Sequence, residues 1–314
     1  MRFFFSLTCR PVNIPLYLAY HIRMNLQTLL QEGSNFIQKN NYWEFPILRR
    51  SKALEANAYY FGNHEWAEEY LTYCHRSDTF KSRWQAATGD WTGKTVIDIG
   101  CGPGNIYATL KDVVGKPEYL VGVDVAPTSL EFAAQLGYIP VLADAHHLPF
   151  KSGVADIVIL NAALHHCENM DAVLKEAARL VKPGGVLVTD HDPQYSAWNY
   201  KGVAKLLWEA RLLWYRVTGH GFHKTSEQQK WGLACEIHHK PGHGVKTEMF
   251  ESVLEPHGFR VNVYPHNHDL GKEVLLGNTG KAEFKYRLGN VFSGRSPSSK
   301  ASALTLMCVA NKLA

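Results

Sequence analysis

The residues of this chain that point most directly to chemistry are Asp98-Ile99-Gly100-Cys101-Gly102-Pro103-Gly104-Asn105, followed by Asp124 and Asp144. A glycine-rich turn after a strand lets backbone approach a ligand at the carboxyl edge of a sheet. A dinucleotide-binding turn also begins G-x-G-x-x-G, but its third glycine would fall at position 105, which is Asn105; here the third glycine is Gly104. Asp98 immediately precedes the turn. A carboxylate there suits a ligand with an ammonium group and would repel a pyrophosphate. Asp124 ends the next apolar run, twenty residues beyond Gly104, where an acid can accept hydrogen bonds from both hydroxyls of a ribose. Asp144 ends the run after that and suits the amino group of an adenine. The three carboxylates describe a ligand with an amino-acid end, a ribose and an adenine; the bland alternative is three strand caps in solvated loops.

A second group, His165, His166, Asp190, His191 and Asp192, follows the fourth and fifth apolar runs and belongs at the same edge. Neutral imidazole titrates in the range useful for proton transfer. His165 and His166 are candidates for that role or for shaping a pocket. Asp190, His191 and Asp192 share the first possibility; read as metal ligands they lack an established spread of acids, and no metal is expected. His220, His223, His238, His239 and His243 lie in a polar stretch without tight ligand spacing, so solvated loop histidines are expected there.

Positioning these groups falls to alternating elements. Thr95–Ile99, Tyr119–Asp124, Pro140–Asp144, Asp156–Leu160 and Val186–Asp190 are short, nearly continuous apolar runs, as expected of strands buried on both faces of a parallel sheet. Helical patterns separate them. The clearest begins near Asn169, sets Val173, Leu174, Ala177, Leu180 and Val181 on one face, and is stopped by Pro183-Gly184-Gly185. The alternation predicts an α/β, Rossmann-like doubly wound sheet. Residues 25–92 read as helical, and 194–243, with Trp198, Trp208, Trp214 and Trp231, interrupt the alternation before a helix at Met249–Glu255 and strands at Phe259–Tyr264 and Ala303–Ala310.

Asp98–Asn105, Asp124, Ala143-Asp144-Ala145, Leu148-Pro149-Phe150, Asp156–His166 and Leu180–Gly185 resemble, in order, the motifs of class I S-adenosylmethionine-dependent methyltransferases, closest to the type-11 group that includes quinone and small-molecule enzymes. The resemblance covers about residues 90–193 and more weakly 245–310, where it implies a C-terminal antiparallel hairpin. It implies S-adenosylmethionine as cofactor: Gly100, Gly102 and Gly104 against the methionine portion, Asp98 at its amino group, Asp124 and Val125 at the ribose, Asp144 and Ala145 at the adenine, and Asn161 on the sulfonium side. In this family a Leu-His-His stretch recurs within the fourth motif. The resemblance also implies that 194–243 is an acceptor-binding helical lid, whose Trp198, Trp208, Trp214 and Trp231 suit an aromatic or amphipathic acceptor methylated at oxygen or carbon. Tyr59, Tyr60 and Trp66 are candidates for the opposite wall. The alternatives are a methyltransferase-fold partner protein without turnover and a nicotinamide-dependent oxidoreductase.

Composition narrows the classes around this reading. The 314 residues are 46% hydrophobic and 20% charged, wrong for a disordered chain. The 33 basic and 29 acidic residues give a net charge of +4 without a long basic run, so no nucleic acid is expected. Six dispersed cysteines without a C-x-x-C pair suit a reducing compartment, and no apolar run nears the roughly 20 residues needed to span a bilayer. The expected organisation is a leader at 1–23, disordered or belonging upstream of a start at Met24, a helical cap at 24–92 and a methyltransferase domain at 93–314. The chain is expected to be cytoplasmic, with a small-molecule acceptor as its partner.

Overall fold

The computed structural model describes residues 26–39, 41–219 and 224–314. The expected leader, His220 and His223 lie outside the described residues. Among the described residues nine strands form one sheet: β1 (Ile37–Gln38), β2 (Trp43–Glu44), β3 (Thr95–Ile99), β4 (Tyr119–Asp124), β5 (Ile139–Leu142), β6 (Ala155–Asn161), β7 (Val181–Pro193), β8 (Phe259–His266) and β9 (Thr305–Lys312). Their order is β1-β2-β5-β4-β3-β6-β7-β9-β8. Strands β2 and β5 to β7 with β3 and β4 between them run parallel, and β9 is antiparallel to both β7 and β8. The expected C-terminal hairpin is therefore present. From β3 the chain winds outward through β4 and β5, then crosses to β6 on the other side, so the switch point lies between β3 and β6, where open α/β sheets bind ligands.

Alternate residues of the central strands enter opposite cores. Ile97, Ile99, Val158 and Leu160 pack with Val173, Leu174 and Ala177 of the helix Met170–Leu180 and with Phe250 and Val253 of the helix Thr247–Leu254. Val96, Ile157, Ile159 and Val188 pack on the other face with Phe80, Trp84, Trp91 and Leu130. Burial on both faces explains why the strands read as unbroken apolar runs.

Eleven helices are described: α1 (Lys52–Gly62), α2 (His64–Tyr73), α3 (Asp78–Thr88), α4 (Asn105–Leu110), α5 (Pro127–Gln135), α6 (Met170–Leu180), α7 (Tyr195–Trp198), α8 (Gly202–Thr218), α9 (Ser226–Cys235), α10 (Thr247–Leu254) and α11 (Phe284–Phe292). Ser51, Asn63 and Ser77 cap α1, α2 and α3 by accepting backbone N–H bonds. The N-terminal region is less helical than expected. After a turn of helix at 26–29 the chain is extended or irregular to Ser51, and Trp43-Glu44 adds to the sheet beside Val141-Leu142. Trp43 and Phe45 are buried while Glu44 is not, a period-two signal that the helical reading passed over. At the other end of the domain α6 stops at Leu180, and Lys182–Gly185 already belong to β7, with a register shift between Ala155 and Ile157.

Candidate active site

A cavity of about 710 Å³ opens at the switch point and brings together the candidates Asp98, Gly100, Gly102, Asp124, Val125, Asp144, Ala145 and Asn161 in its lining. Asp98, at the end of β3, is buried and accepts a hydrogen bond from the Tyr138 hydroxyl at 2.8 Å. Burial pushes its carboxyl up to about 7 despite that bond. Asp124 accepts backbone N–H bonds from Gly102 (2.8 Å), Val125 (2.8 Å) and Ala126 (2.9 Å), which lock the glycine turn to the end of β4. Burial raises its carboxyl and these bonds oppose the rise. Asp144 lies two residues beyond β5. The Asn169 N–H donates to His146 Nε2, so the ring donates from Nδ1 to Asp144 Oδ1 at 2.6 Å. Burial acts against ionisation of Asp144, but the His146 ring and backbone bonds outweigh it and lower the carboxyl.

Glycine is required in this turn for two different reasons. Gly100 (φ +69°) has no room for a side chain, since an added Cβ would lie 2.8 Å from the Ala163 Cβ, whereas Gly102 (φ +52°) meets nothing within 4 Å. The space beside Gly102 is the cradle. Gly104 departs from its expected role. It sits left-handed at the N-terminus of α4, packed on Leu136 and Tyr138, and does not line the cavity. Its glycine is needed for helix packing. Asn105, at the third-glycine position of a dinucleotide turn, donates to the carbonyls of Tyr70 and Cys74 and so ties α2 to the turn.

A second cavity of about 540 Å³ adjoins the first, and the two share Phe61, Tyr70, His75, Ala162 and His166 in their linings. Among the described residues, the non-glycine positions with positive φ are His75 (62°), Ala162 (52°), His191 (62°) and His268 (72°). All four line this second cavity. Such backbone is uncommon for non-glycine residues and is held only where the surroundings over-determine it, which is typical of functional sites. At His191 the cause is visible. The register of β7 against β9 shifts between Thr189 and Asp192, and a bulge of this kind re-aims a side chain.

The histidines divide in a way the sequence does not reveal. His165 is buried, and its backbone N–H (3.0 Å) and ring Nδ1 (2.8 Å) both meet Asp192 Oδ1. Burial lowers the imidazole to about 3 and raises the Asp192 carboxyl to about 7. The neutral ring that donates from Nδ1 presents an unprotonated Nε2. His166 bonds the Cys235 carbonyl through Nδ1 at 3.0 Å and is likewise lowered to about 3 by burial and the neighbouring His165. The Tyr70 hydroxyl and His75 Nε2 are 2.9 Å apart. Burial keeps His75 well below the usual imidazole range and Tyr70 well above the usual phenol range. The junction between the cavities is thus polar and uncharged at neutral pH.

Asp190 is not a catalytic group in this arrangement. It is fully buried and lines neither cavity; its oxygens meet Arg83 Nε at 3.0 Å and His266 Nε2 at 2.8 Å. Despite burial, His191, Arg83 and His266 hold its carboxyl well below the usual range. A mid-helix arginine such as Arg83 reads from sequence as a solvated charge, and its role was not found there. His191 does line the second cavity, with Nε2 3.0 Å from His268 Nδ1.

The tryptophans also separate. Trp198 lines the second cavity, and Trp208 packs behind it at 5.1 Å between ring centroids. Trp231 stacks on Tyr59 at 4.3 Å, Trp214 is 65% exposed, and neither lines a cavity. Of Tyr59, Tyr60 and Trp66, Tyr60 alone reaches the second cavity; Ser51, Leu54, Asn57 and Phe61 supply the N-terminal wall of the first. His238 and His239 are not solvated as expected. His238 lines the first cavity, and His239 lines the second with its ring edge-on to Trp198 at 4.5 Å. Among the described residues no group of three His, Cys, Asp or Glu side chains is arranged to hold a metal ion, and no helix is long and apolar enough to cross a membrane.

Residues 97–189 match the family model described as "Methyltransferase domain". The chain is 27% identical over 161 residues to a demethylmenaquinone methyltransferase of Lactococcus lactis, an alignment covering 49% of this chain and 63% of that protein. It is 33% identical over 100 residues to a sterol 4-C-methyltransferase of Caenorhabditis elegans, covering 29% of each. The chain thus spans less than two thirds of either relative. The fold is similar to that of geranyl diphosphate C-methyltransferase from Streptomyces coelicolor, with a TM-score of 0.52 at 12% identity, covering 85% of this chain and all of that one.

Proposed function

We propose that this chain, which carries a class I S-adenosylmethionine-dependent methyltransferase domain around residues 97–189, moves a methyl group to oxygen or carbon of a small aromatic or amphipathic acceptor. The observation that supports this best is the pair of adjoining cavities, with every described non-glycine residue of positive φ lining the second. Bound in the first cavity, S-adenosylmethionine supplies an electrophilic methyl group on a sulfonium.

The residues present fit that group. Asp98 is a buried carboxylate suited to an ammonium, the space beside Gly102 accepts a ligand where a side chain would intrude, and Asn161 Oδ1 is buried without a hydrogen-bond partner. In this reading Asp124 and Val125 hold the ribose, and Asp144 with Ala145 the adenine. The uncharged junction of Phe61, Tyr70, His75, Ala162 and His166 does not repel a sulfonium as a cationic wall would.

The second cavity then receives the acceptor. Its deep wall of Tyr60, Trp198, Leu304 and Thr305 is buried, whereas Asp269, Lys281 and Glu283 are exposed at its border. That gradient suits a molecule with an apolar ring or chain and a polar end. His165, oriented by Asp192, is the group we assign to position the acceptor, its neutral ring taking a hydrogen bond at Nε2; held near 3 by burial, the ring orients the acceptor and is a weak base. Alignment of acceptor, methyl and sulfur and the exclusion of water supply the remainder of the rate.

The test is transfer of radiolabelled methyl from S-adenosylmethionine to a panel of phenols, quinols and amphipathic alcohols, with products identified by mass spectrometry. Label in an extractable product, lost with Trp198→Glu but not with Trp214→Glu, is the expected result. Label in no member of the panel, or equal loss in both variants, contradicts the assignment of the second cavity.

A further inference from the structure

The helix α8, Gly202–Thr218, buries only Ala204 fully and leaves Val203, Leu206, Leu207, Leu213, Trp214 and Val217 between 55% and 76% exposed. At 100° per residue these six fall within one continuous stripe along the whole helix, opposite the inward-facing Ala204 and Trp208. Monomeric proteins seldom leave an apolar face of this length uncovered. Lys205 and Arg216 border the stripe along one side, with Lys201 at the N-cap; on the other side Arg211 turns back over the inward Trp208 ring, its Cζ 3.4 Å from the ring centroid. Glu209 is the one acid in the helix, and Lys205 already faces it at 3.9 Å.

We propose that this stripe is a docking surface for an anionic lipid bilayer, on which α8 lies in the plane of the interface. An apolar face with tryptophan and leucine, edged by Lys and Arg, matches the composition of helices that lie on membranes without spanning them. Charge selects this occupant. A second copy applying the same stripe would bring Lys205 and Arg216 against their own counterparts, and like charges at an interface disfavour it. Residues 1–25 contain Arg2, Arg10 and Arg23 and no Asp or Glu, so they offer these cations no partner either. Anionic headgroups do, along the Lys205 and Arg216 edge of the stripe.

The side of α8 opposite the stripe backs the second cavity. Trp208 of α8 contacts Trp198, whose ring lies 5.4 Å from Tyr286 of α11, and Trp198 and Tyr286 both line that cavity. Helix α11 packs against α8 and exposes Phe284, Val291 and Phe292 alongside Lys285 and Arg287. A bilayer held on the stripe therefore lies across α8 from the walls of the second cavity.

Co-sedimentation of the full chain with vesicles tests this without reference to methyl transfer. The probes are vesicles of phosphatidylcholine alone and of equal parts phosphatidylcholine and phosphatidylglycerol. Binding is expected to the second kind, to weaken with salt, and to fall about tenfold in L206E/L213E. K205E/R216E should lose about thirtyfold or more, since each of the two cations near an anionic surface is worth ~1 kcal/mol. Unchanged circular dichroism and S-adenosylhomocysteine affinity report that the variants fold; Trp214→Ser serves if the paired glutamates do not. Absence of binding to the anionic vesicles, or binding that the stripe variants leave unchanged, overturns the proposal. So does a wild-type dimer by light scattering that L206E/L213E splits into monomers, since the occupant is then a second copy.

Discussion

At the scale of single residues, Asp98 makes the most specific prediction. Its folded carboxyl stands at about 7, against an ordinary 3.8, because it is buried with one hydroxyl partner. The ligand-free folded chain therefore holds a proton that the unfolded chain releases above 3.8. Stability from this group falls as pH rises between those values and stays low above 7. An ammonium beside the carboxylate reverses the preference. Affinity for S-adenosylhomocysteine should rise with pH up to about 7, and binding below that value should expel a proton, measurable by calorimetry in two buffers of different ionisation enthalpy. Asp98→Asn should raise the melting temperature at pH 8 while weakening the ligand by about 1.5–3 kcal/mol; affinity independent of both pH and this substitution would remove Asp98 from the site. His165 predicts a different split. It lines the second cavity and not the first, so His165→Ala should lower turnover by about 10² with cofactor affinity nearly unchanged.

At the scale of elements, the glycine turn and the helix behind it separate binding from folding. Gly102 faces open space and Gly104 faces Leu136 and Tyr138. Gly102→Ala should lose about 1–2 kcal/mol of stability to its left-handed backbone alone together with cofactor affinity, whereas Gly104→Ala should add the clash with Leu136 and Tyr138 to that strain and lower the melting temperature more. Equal stability losses would mean that the space beside Gly102 is not a cradle. Helix α3 is joined to β7 by the buried Arg83–Asp190 pair, with Arg83 also donating to the Leu270 carbonyl at 2.6 Å. Removing one partner leaves an uncompensated buried charge, at a cost of about 3–5 kcal/mol. Chemical denaturation of Asp190→Ala should show that loss, and R83M/D190L should recover only part of it, because the His266 ring and the His191 N–H still lose their acceptor. The strand-end acids were legible in the sequence because consecutive strands of a parallel sheet finish on one edge. Asp98, Asp124 and Asp144 needed only that rule to be brought together. Asp190 obeyed the same rule and still pointed inward, because its partner Arg83 lies 107 positions away.

At the scale of the molecule, the two halves of the site differ in how local their information is. The first cavity is built largely from turns that directly follow β3, β4, β5 and β6, so motif spacing describes it. The second takes His75 from the N-terminal region, His165 and His191 from the ends of two strands, His239 from the insertion, and His268 and Tyr286 from the C-terminal segment. Sixteen histidines in the chain give no indication of which converge. That depends on the bulge in β7, the left-handed backbone at four positions, and the edge-on packing of His239 on Trp198. The polar sequence around His238 and His239 suggested solvent exposure; the fold instead half-buries both, His238 in the first cavity and His239 against Trp198.

The central claim is that the first cavity takes a ligand with an amino-acid end, a ribose and an adenine. Calorimetric titration with S-adenosylhomocysteine, with NADH as control and Asp124→Ala alongside, tests it most directly. One-to-one binding of S-adenosylhomocysteine in the micromolar range is expected, with no binding of NADH and a loss of about 1.5–3 kcal/mol in the variant. Binding of NADH alone, or an Asp124→Ala affinity equal to that of the unaltered chain, would contradict it.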